Sequence, residues 1–134
     1  MTMEHKREKR IVLRRVDMKD PGKIEGYLNS EGYIALEKAL LELSPEKVID
    51  QIDRSGLRGR GGAGFPTGRK WKFVRAAKGD TKYIICNADE SEPGAFKDRL
   101  ILENDPHSII EAMTIAGYAA GAKEGYIYIR GEYQ

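Results

Sequence analysis

The residues from Gly56 to Trp71 read Gly-Leu-Arg-Gly-Arg-Gly-Gly-Ala-Gly-Phe-Pro-Thr-Gly-Arg-Lys-Trp. They hold six glycines, the bases Arg58, Arg60, Arg69 and Lys70, and no acid. Glycine lacks a Cβ and accepts positive φ, so successive N–H groups can converge on a ligand at close range. Converging N–H groups form an anion-binding nest, and a helix N-terminus beside it adds partial positive charge. The chemistry this predicts is capture of phosphate groups. Gly59-Arg60-Gly61-Gly62-Ala63-Gly64 also fits the G-x-G-x-x-G spacing of dinucleotide sites. That motif follows a strand, however, whereas Ser44 to Ser55 reads as a helix. The phosphate loop of nucleoside triphosphatases fails, because Phe65-Pro66 stands where a lysine and a hydroxyl are needed. Arg60-Gly61-Gly62 admits an RGG-type nucleic-acid segment, without the repetition of such segments. A plain glycine-rich surface turn is the remaining reading.

A second cluster has the opposite charge. Asn87-Ala88-Asp89-Glu90-Ser91-Glu92-Pro93-Gly94 puts three carboxylates, an amide and a hydroxyl into one loop. Carboxylates accept from ribose or ribitol hydroxyls, and they also bind hard metals. Without a ligand the same residues make an Asx-type turn with solvated acids. Lys70 can meet a phosphate or a planar ring. Phe65 and Phe73 suit either stacking on a heterocycle or core packing, and Trp71 suits the core. His107 at a helix start reads as structural, and His5 lies in the charged N-terminal tail. No Ser/His/Asp or Cys/His set is credible, which argues against hydrolytic triad chemistry.

The length of 134 residues suits about one small domain. A net charge of +2 gives no global case for nucleic acid, although the charge is patterned. Arg58 to Lys78 carries seven bases and no acid, and Asp89 to Asp98 carries four acids and one lysine. Such a pair of loops suits a ligand with phosphates at one end and hydroxyls or a cation at the other. The single cysteine, Cys86, excludes an internal disulfide and a cysteine-built iron–sulfur site, so no metal ligands are assigned. A single cysteine also fits a reducing, cytoplasmic setting. No apolar run approaches a membrane span.

The elements that must position these loops follow from pattern. Arg10 to Arg15 reads as a short strand, and Asp20-Pro21-Gly22 as a turn. Lys23 to Asn29 and Glu31 to Leu43 read as helices, the second with a stripe of Ile34, Leu36, Ala39, Leu40 and Leu43. Ser44-Pro45-Glu46 is a helix start with cap, proline and acid, and Gly56 is its stop. Thr67 or Gly68 opens a helix through Ala76. Lys82 to Cys86 reads as a buried strand leading into the Asn87–Ala95 loop. Phe96 to Glu103 reads as helical. Asp105-Pro106 starts another helix, with Ile109, Ile110, Met113 and Ala116 toward the core and Gly121 or Gly125 at its end. Tyr126 to Arg130 reads as a second core strand. Strand, helix, strand makes a βαβ unit with parallel strands. Ligands of such sheets bind beyond the carboxyl ends of the strands, where Asn87 to Glu92 falls.

Three blocks carry a resemblance: Ser55 to Gly68 with Lys70-Trp71, Cys86 to Arg99 (Cys-Asn-Ala-Asp-Glu-Ser-Glu-Pro-Gly-Ala-Phe-Lys-Asp-Arg), and Tyr126 to Tyr133 (Tyr-Ile-Tyr-Ile-Arg-Gly-Glu-Tyr). In this order they resemble the NADH-binding flavoprotein subunit of respiratory complex I and its counterparts in NAD-linked hydrogenases and formate dehydrogenases. The resemblance implies an α/β, partial Rossmann-like βαβ flavin-binding domain. Residues 1–43 would form a lead-in and 44–134 the N-terminal part of the FMN- and NADH-binding domain. It implies an FMN-dependent NADH dehydrogenase in which hydride passes from NADH to FMN and electrons leave singly to iron–sulfur clusters. Gly59, Gly61, Lys70, Asn87, Asp89 and Glu90 would surround FMN, with Arg60 and Ser91 in the same loops. Gly62, Ala63, Gly64, Phe65, Phe73 and Glu92 would face NADH, with Glu92 the candidate at the reacting end. The subunits of this family continue further, so the chain is expected to be an N-terminal part. Its iron–sulfur clusters would then lie in that continuation or in partner subunits, and turnover by this chain alone is not expected. The implied setting is a multi-subunit redox complex in the cytoplasm or peripheral to a membrane, with no nucleic-acid partner. The rival reading is a truncated nucleotide- or partner-binding module without catalysis.

Overall fold

The computed structural model describes residues 9–133. Most of the N-terminal tail, with His5, lies outside the described residues, as does Gln134. The elements run α1 (Ile24–Asn29), α2 (Ile34–Glu42), α3 (Pro45–Arg54), α4 (Thr67–Ala76), β1 (Tyr83–Ala88), α5 (Lys97–Asn104), α6 (Pro106–Ala120), β2 (Glu124–Ile129) and a 3-10 turn, Gly131–Tyr133. β1 and β2 pair in parallel, with Tyr83 opposite Glu124 and Ala88 opposite Ile129. The two strands therefore end at the same edge, and whatever follows each of them meets there.

α3 forms as its sequence dictates. Ser44 accepts from the N–H of Lys47, Pro45 stands at the first turn, and Gly56 ends the segment at φ 69°. Each meets a local need: an orphan N–H, a pre-set φ, and a left-handed stop. Its buried Val48 and Ile49 join Ala39 of α2 and Ala119 of α6 in the core, with Leu43, Trp71, Ile115 and Tyr118 packed around them. Burying Ile49 contributes about 1.5–3 kcal/mol on transfer scales. α4 lies close on α3: a Cβ at Gly68 would stand 2.6 Å from the Asp53 backbone. Arg75 of α4 ties this layer together, donating to Glu46 on α3 and to the carbonyl of Ala119 on α6.

Several expectations change. Residues 11–17 form turns, not a strand, with Val16 N–H on the Leu13 carbonyl and Met18 N–H on that of Arg15. The cause is Arg15, which turns inward. It stacks over Tyr27 at 4.5 Å, donates to Ser30 and pairs with buried Asp105. Asp105 thus serves Arg15 and makes no side-chain cap for α6, although Pro106 still starts that helix. Glu111 of α6 is also buried, and its carboxylate accepts from Tyr27 and from the N–H groups of Tyr33 and Leu36 at the start of α2. His107 bonds the Tyr33 hydroxyl, a structural contact.

The strands are present but are not core strands. β1 extends through Ala88, so Asn87 belongs to it. α6 covers one face of the two-stranded sheet. The other face leaves Tyr83, Ile85, Tyr126 and Tyr128 exposed, Ile85 at 68%. Ile34 and Leu40 of α2 and Ile110 of α6 are likewise exposed, because no element among the described residues lies over those helix faces.

Candidate functional site

The glycine loop is pinned at its neck and open at its tip. Gly59 N–H donates to the Phe65 carbonyl and Thr67 N–H to that of Leu57, while the Arg58 guanidinium bonds the Gly64 carbonyl. Between these ties, the N–H groups of Arg60 to Phe65 donate to nothing among the described residues. Gly62 and Gly64 have φ 107° and 60°, which explains glycine at those two positions. A Cβ at Gly61, Gly62 or Gly64 would meet nothing within 4 Å, so packing does not demand glycine there. The space is open, with N–H donors along it. α4 begins directly after the loop at Thr67, with no side-chain cap on its N-terminus.

The bases of this region divide by their partners. Lys72 pairs with Asp50 and Asp53, and Arg75 with Glu46. Arg60, Arg69 and Lys70 are exposed and form no ion pair among the described residues. Lys70 and Trp71 line a groove of about 670 Å³ between α4, β1 and α6, with Ile84, Cys86 and Met113 on its other walls. That volume suits a small planar ligand. Burial raises the Cys86 thiol above its usual range, so it stands there as a small apolar group. Phe65 and Phe73 are not core residues. They are 43% and 63% exposed, with ring centroids 6.3 Å apart.

The acidic loop leaves the end of β1. The Asp89 N–H donates to the Asn87 side chain, and the Ser91 hydroxyl to the Asp89 carboxylate, an Asx-type turn. Asp89, Ser91 and Glu92 are exposed. Glu90 is different, at 1% exposure. Its carboxylate accepts from the N–H groups of Asp98 and Arg99 at the start of α5, from Lys97 at 3.3 Å and from the Tyr133 hydroxyl at 3.2 Å. Burial by itself would raise this carboxyl. The donors outweigh it and hold the group down at about 2. An anion at the first turn of α5 is also favoured by the helix dipole.

The sequence candidates therefore fall into two groups. Gly59 to Phe65, Lys70 and Phe73 border open space or the groove, and Asn87, Asp89, Ser91 and Glu92 stand exposed at the strand end. Glu90 spends its carboxylate on the fold. Residue type and spacing gave no role to Arg130 and Tyr133, which follow β2 and reach Glu90. The strand-end rule applied to the second strand would have found them. No group of three or more His, Cys, Asp or Glu able to hold an ion occurs among the described residues. No helix among them is long and apolar enough to cross a membrane.

The family model described as the Nuo51 FMN-binding domain matches residues 52–134. The chain is 59% identical over 123 residues to an NADH-quinone oxidoreductase subunit of Aquifex aeolicus, covering 92% of this chain and 28% of that protein. It is 54% identical over 123 residues to an NADH-quinone oxidoreductase subunit of Rhizobium meliloti, covering 92% and 29%. Against the HndC subunit of the NADP-reducing hydrogenase of Solidesulfovibrio fructosivorans it is 52% identical over 132 residues, covering 98% and 26%. The chain thus spans between a quarter and a third of the length of these relatives. Among solved structures, an air-oxidized NAD+-reducing NiFe hydrogenase matches with a TM-score of 0.72 at 36% identity, over 94% of this chain and 20% of that one. On these grounds, the chain belongs to the family of the Nuo51 FMN-binding domain, and its relatives include subunits of NADH-quinone oxidoreductase and of an NADP-reducing hydrogenase.

Proposed function

We propose that this chain is the N-terminal part of an NADH:acceptor oxidoreductase subunit and that its two loops form one side of an FMN and NAD(H) site. The domain is read as Rossmann-like over residues 44–134, with 1–43 as a lead-in. One observation carries the reading: the N–H groups of Arg60 to Phe65 have no acceptor among the described residues, in a loop whose glycines border open space and which leads into the helix bearing unpaired Lys70. An anion is the chemistry such donors fit. The residues present therefore fit a phosphate-bearing flavin.

A bound flavin supplies the exchange between a two-electron hydride and single electrons. The chain's own part is placement. The loop N–H groups with Arg60 and Lys70 hold phosphate. Asn87, Asp89 and Ser91 offer acceptors and donors to sugar-type hydroxyls. Phe65 and Phe73 present exposed ring faces to a planar base. Glu92, exposed and free of ion pairs among the described residues, is the group assigned to the reacting end of NAD(H). The names of the relatives, each a subunit of an oxidoreductase or a hydrogenase, support partner subunits of a multi-subunit redox complex; iron–sulfur proteins among those partners, and a place in the cytoplasm or peripheral to a membrane, belong to the proposal alone.

The test is titration of the 134-residue chain with FMN, followed by quenching of flavin fluorescence, with Lys70→Ala as control. Saturable binding that weakens about tenfold in the variant, the size of one charge-assisted contact, supports the reading. Absence of saturable binding favours the rival module that needs the rest of the protein to meet a flavin.

A further inference from the structure

We propose that Arg130 is the positioning residue of the acidic loop, a three-bonded clamp that fixes the direction in which Asp89, Ser91 and Glu92 face a ligand. Its bearing on FMN and NAD(H) rests on the function proposed above. Because β1 and β2 are parallel and Ala88 stands opposite Ile129, the residues that follow them, Asp89-Glu90 and Arg130, lie side by side. Arg130 donates through Nε and Nη2 to the two carboxylate oxygens of Glu132, at 3.0 and 2.7 Å. This bidentate pair sets the plane of the guanidinium. Its third nitrogen, Nη1, then donates to the Glu90 carbonyl at 2.5 Å. Tyr133 completes the grip, with its ring 5.4 Å from the same guanidinium and its hydroxyl on the Glu90 carboxylate.

Glu90 is thus held by its main chain from Arg130 and by its side chain from Tyr133 and α5. Its neighbours on both sides are exposed. A residue fixed at both ends sets where the adjacent side chains point. Positive charge alone does not do this: a lysine is a point charge and cannot bond Glu132 twice and Glu90 once in one plane.

The experiment compares Arg130→Lys and Arg130→Met in the 134-residue chain, by amide hydrogen exchange and by FMN titration. Exchange at the loop-bound amides of Asp89, Asp98 and Arg99, which donate to Asn87 and to the Glu90 carboxylate, is expected to rise about tenfold in both variants, as for loss of one charge-assisted bond, with the core amides of α3 and α6 unchanged. The FMN dissociation constant is expected to rise by a similar factor in both. Wild-type exchange in the loop, or restoration of loop and flavin binding by lysine, overturns the proposal. If the Arg130 variants do not fold, Glu132→Gln decides. Glu132 is largely exposed, so that variant tests the orienting pair alone, and unchanged loop exchange in it overturns the clamp. Accelerated loop exchange in the Arg130 variants of a chain that takes up no FMN upholds the clamp and counts against the flavin reading.

Discussion

In the glycine loop, the N–H groups of Arg60 to Phe65 have no acceptor among the described residues. In the acidic loop, the Glu90 carboxylate takes donors from α5, Lys97 and Tyr133, and its carbonyl takes one from Arg130. Both loops are built of polar, glycine- or acid-rich sequence, yet the acidic loop is anchored at its centre by buried Glu90, whereas the glycine loop is tied only at its neck. The acidic loop is organised before any ligand arrives. In the function proposed above, the acidic loop would offer acceptors to hydroxyls and the glycine loop donors to phosphate.

The contrast breaks most sharply at two glycines. Gly68→Ala drives a Cβ into the Asp53 backbone, where α3 and α4 cannot separate freely. It is expected to cost about 3 kcal/mol in denaturant unfolding, the upper end of overpacking effects. Gly61→Ala meets open space and is expected to stay within about 0.5 kcal/mol of wild type. Equal losses at the two positions would mean that the glycine loop is packed rather than open.

Glu90→Gln attacks the satisfied loop next. The amide keeps the shape but gives up the charge that draws Asp98 N–H, Arg99 N–H and Lys97, and the melting temperature is expected to fall by several degrees at pH 7. The folded carboxyl is held below its unfolded value, down at about 2. Its contribution is therefore complete above the unfolded carboxylate range, near pH 4.5, and is lost as pH falls through about 2. The stability gap between wild type and variant should be constant from about pH 6 to 8 and should close on acidification. A gap that widens with acid would show that the carboxyl enters the fold protonated.

Lys70→Ala sharpens the comparison from the other side. Lys70 is exposed and unpaired, so thermal unfolding should move by no more than about 0.5 kcal/mol. Gly62→Ala is intermediate: its φ of 107° strains any side chain, at a cost of about 1–3 kcal/mol. Urea unfolding of the two variants side by side checks both values.

Local signals in the sequence survive folding well. Ser44, Pro45 and Gly56 bound α3 because caps and stops act over a few residues. Both strands form from their apolar runs. Their burial was not legible, because it depends on what covers the sheet, and Ile85 and Tyr128 remain exposed beside one covering helix. Arg10 to Arg15 is a short apolar run framed by charge and reads as a strand, but the buried partner of Arg15 is Asp105, which lies far along the chain. No local rule names such a pair. In the same way composition marked Asp89, Glu90 and Glu92 alike, and only the approach of α5 and Arg130 makes Glu90 structural. The open tip of the glycine loop was legible because backbone freedom and charge are written in its own residues.

Whether the glycine loop receives a phosphate is the central question. Titrating the chain with FMN and with riboflavin, which differ by that phosphate alone, measures it. FMN should bind at least about tenfold tighter than riboflavin, with most of that margin removed by Lys70→Ala. Equal affinity for the two flavins, or a margin unaffected by Lys70→Ala, would contradict it.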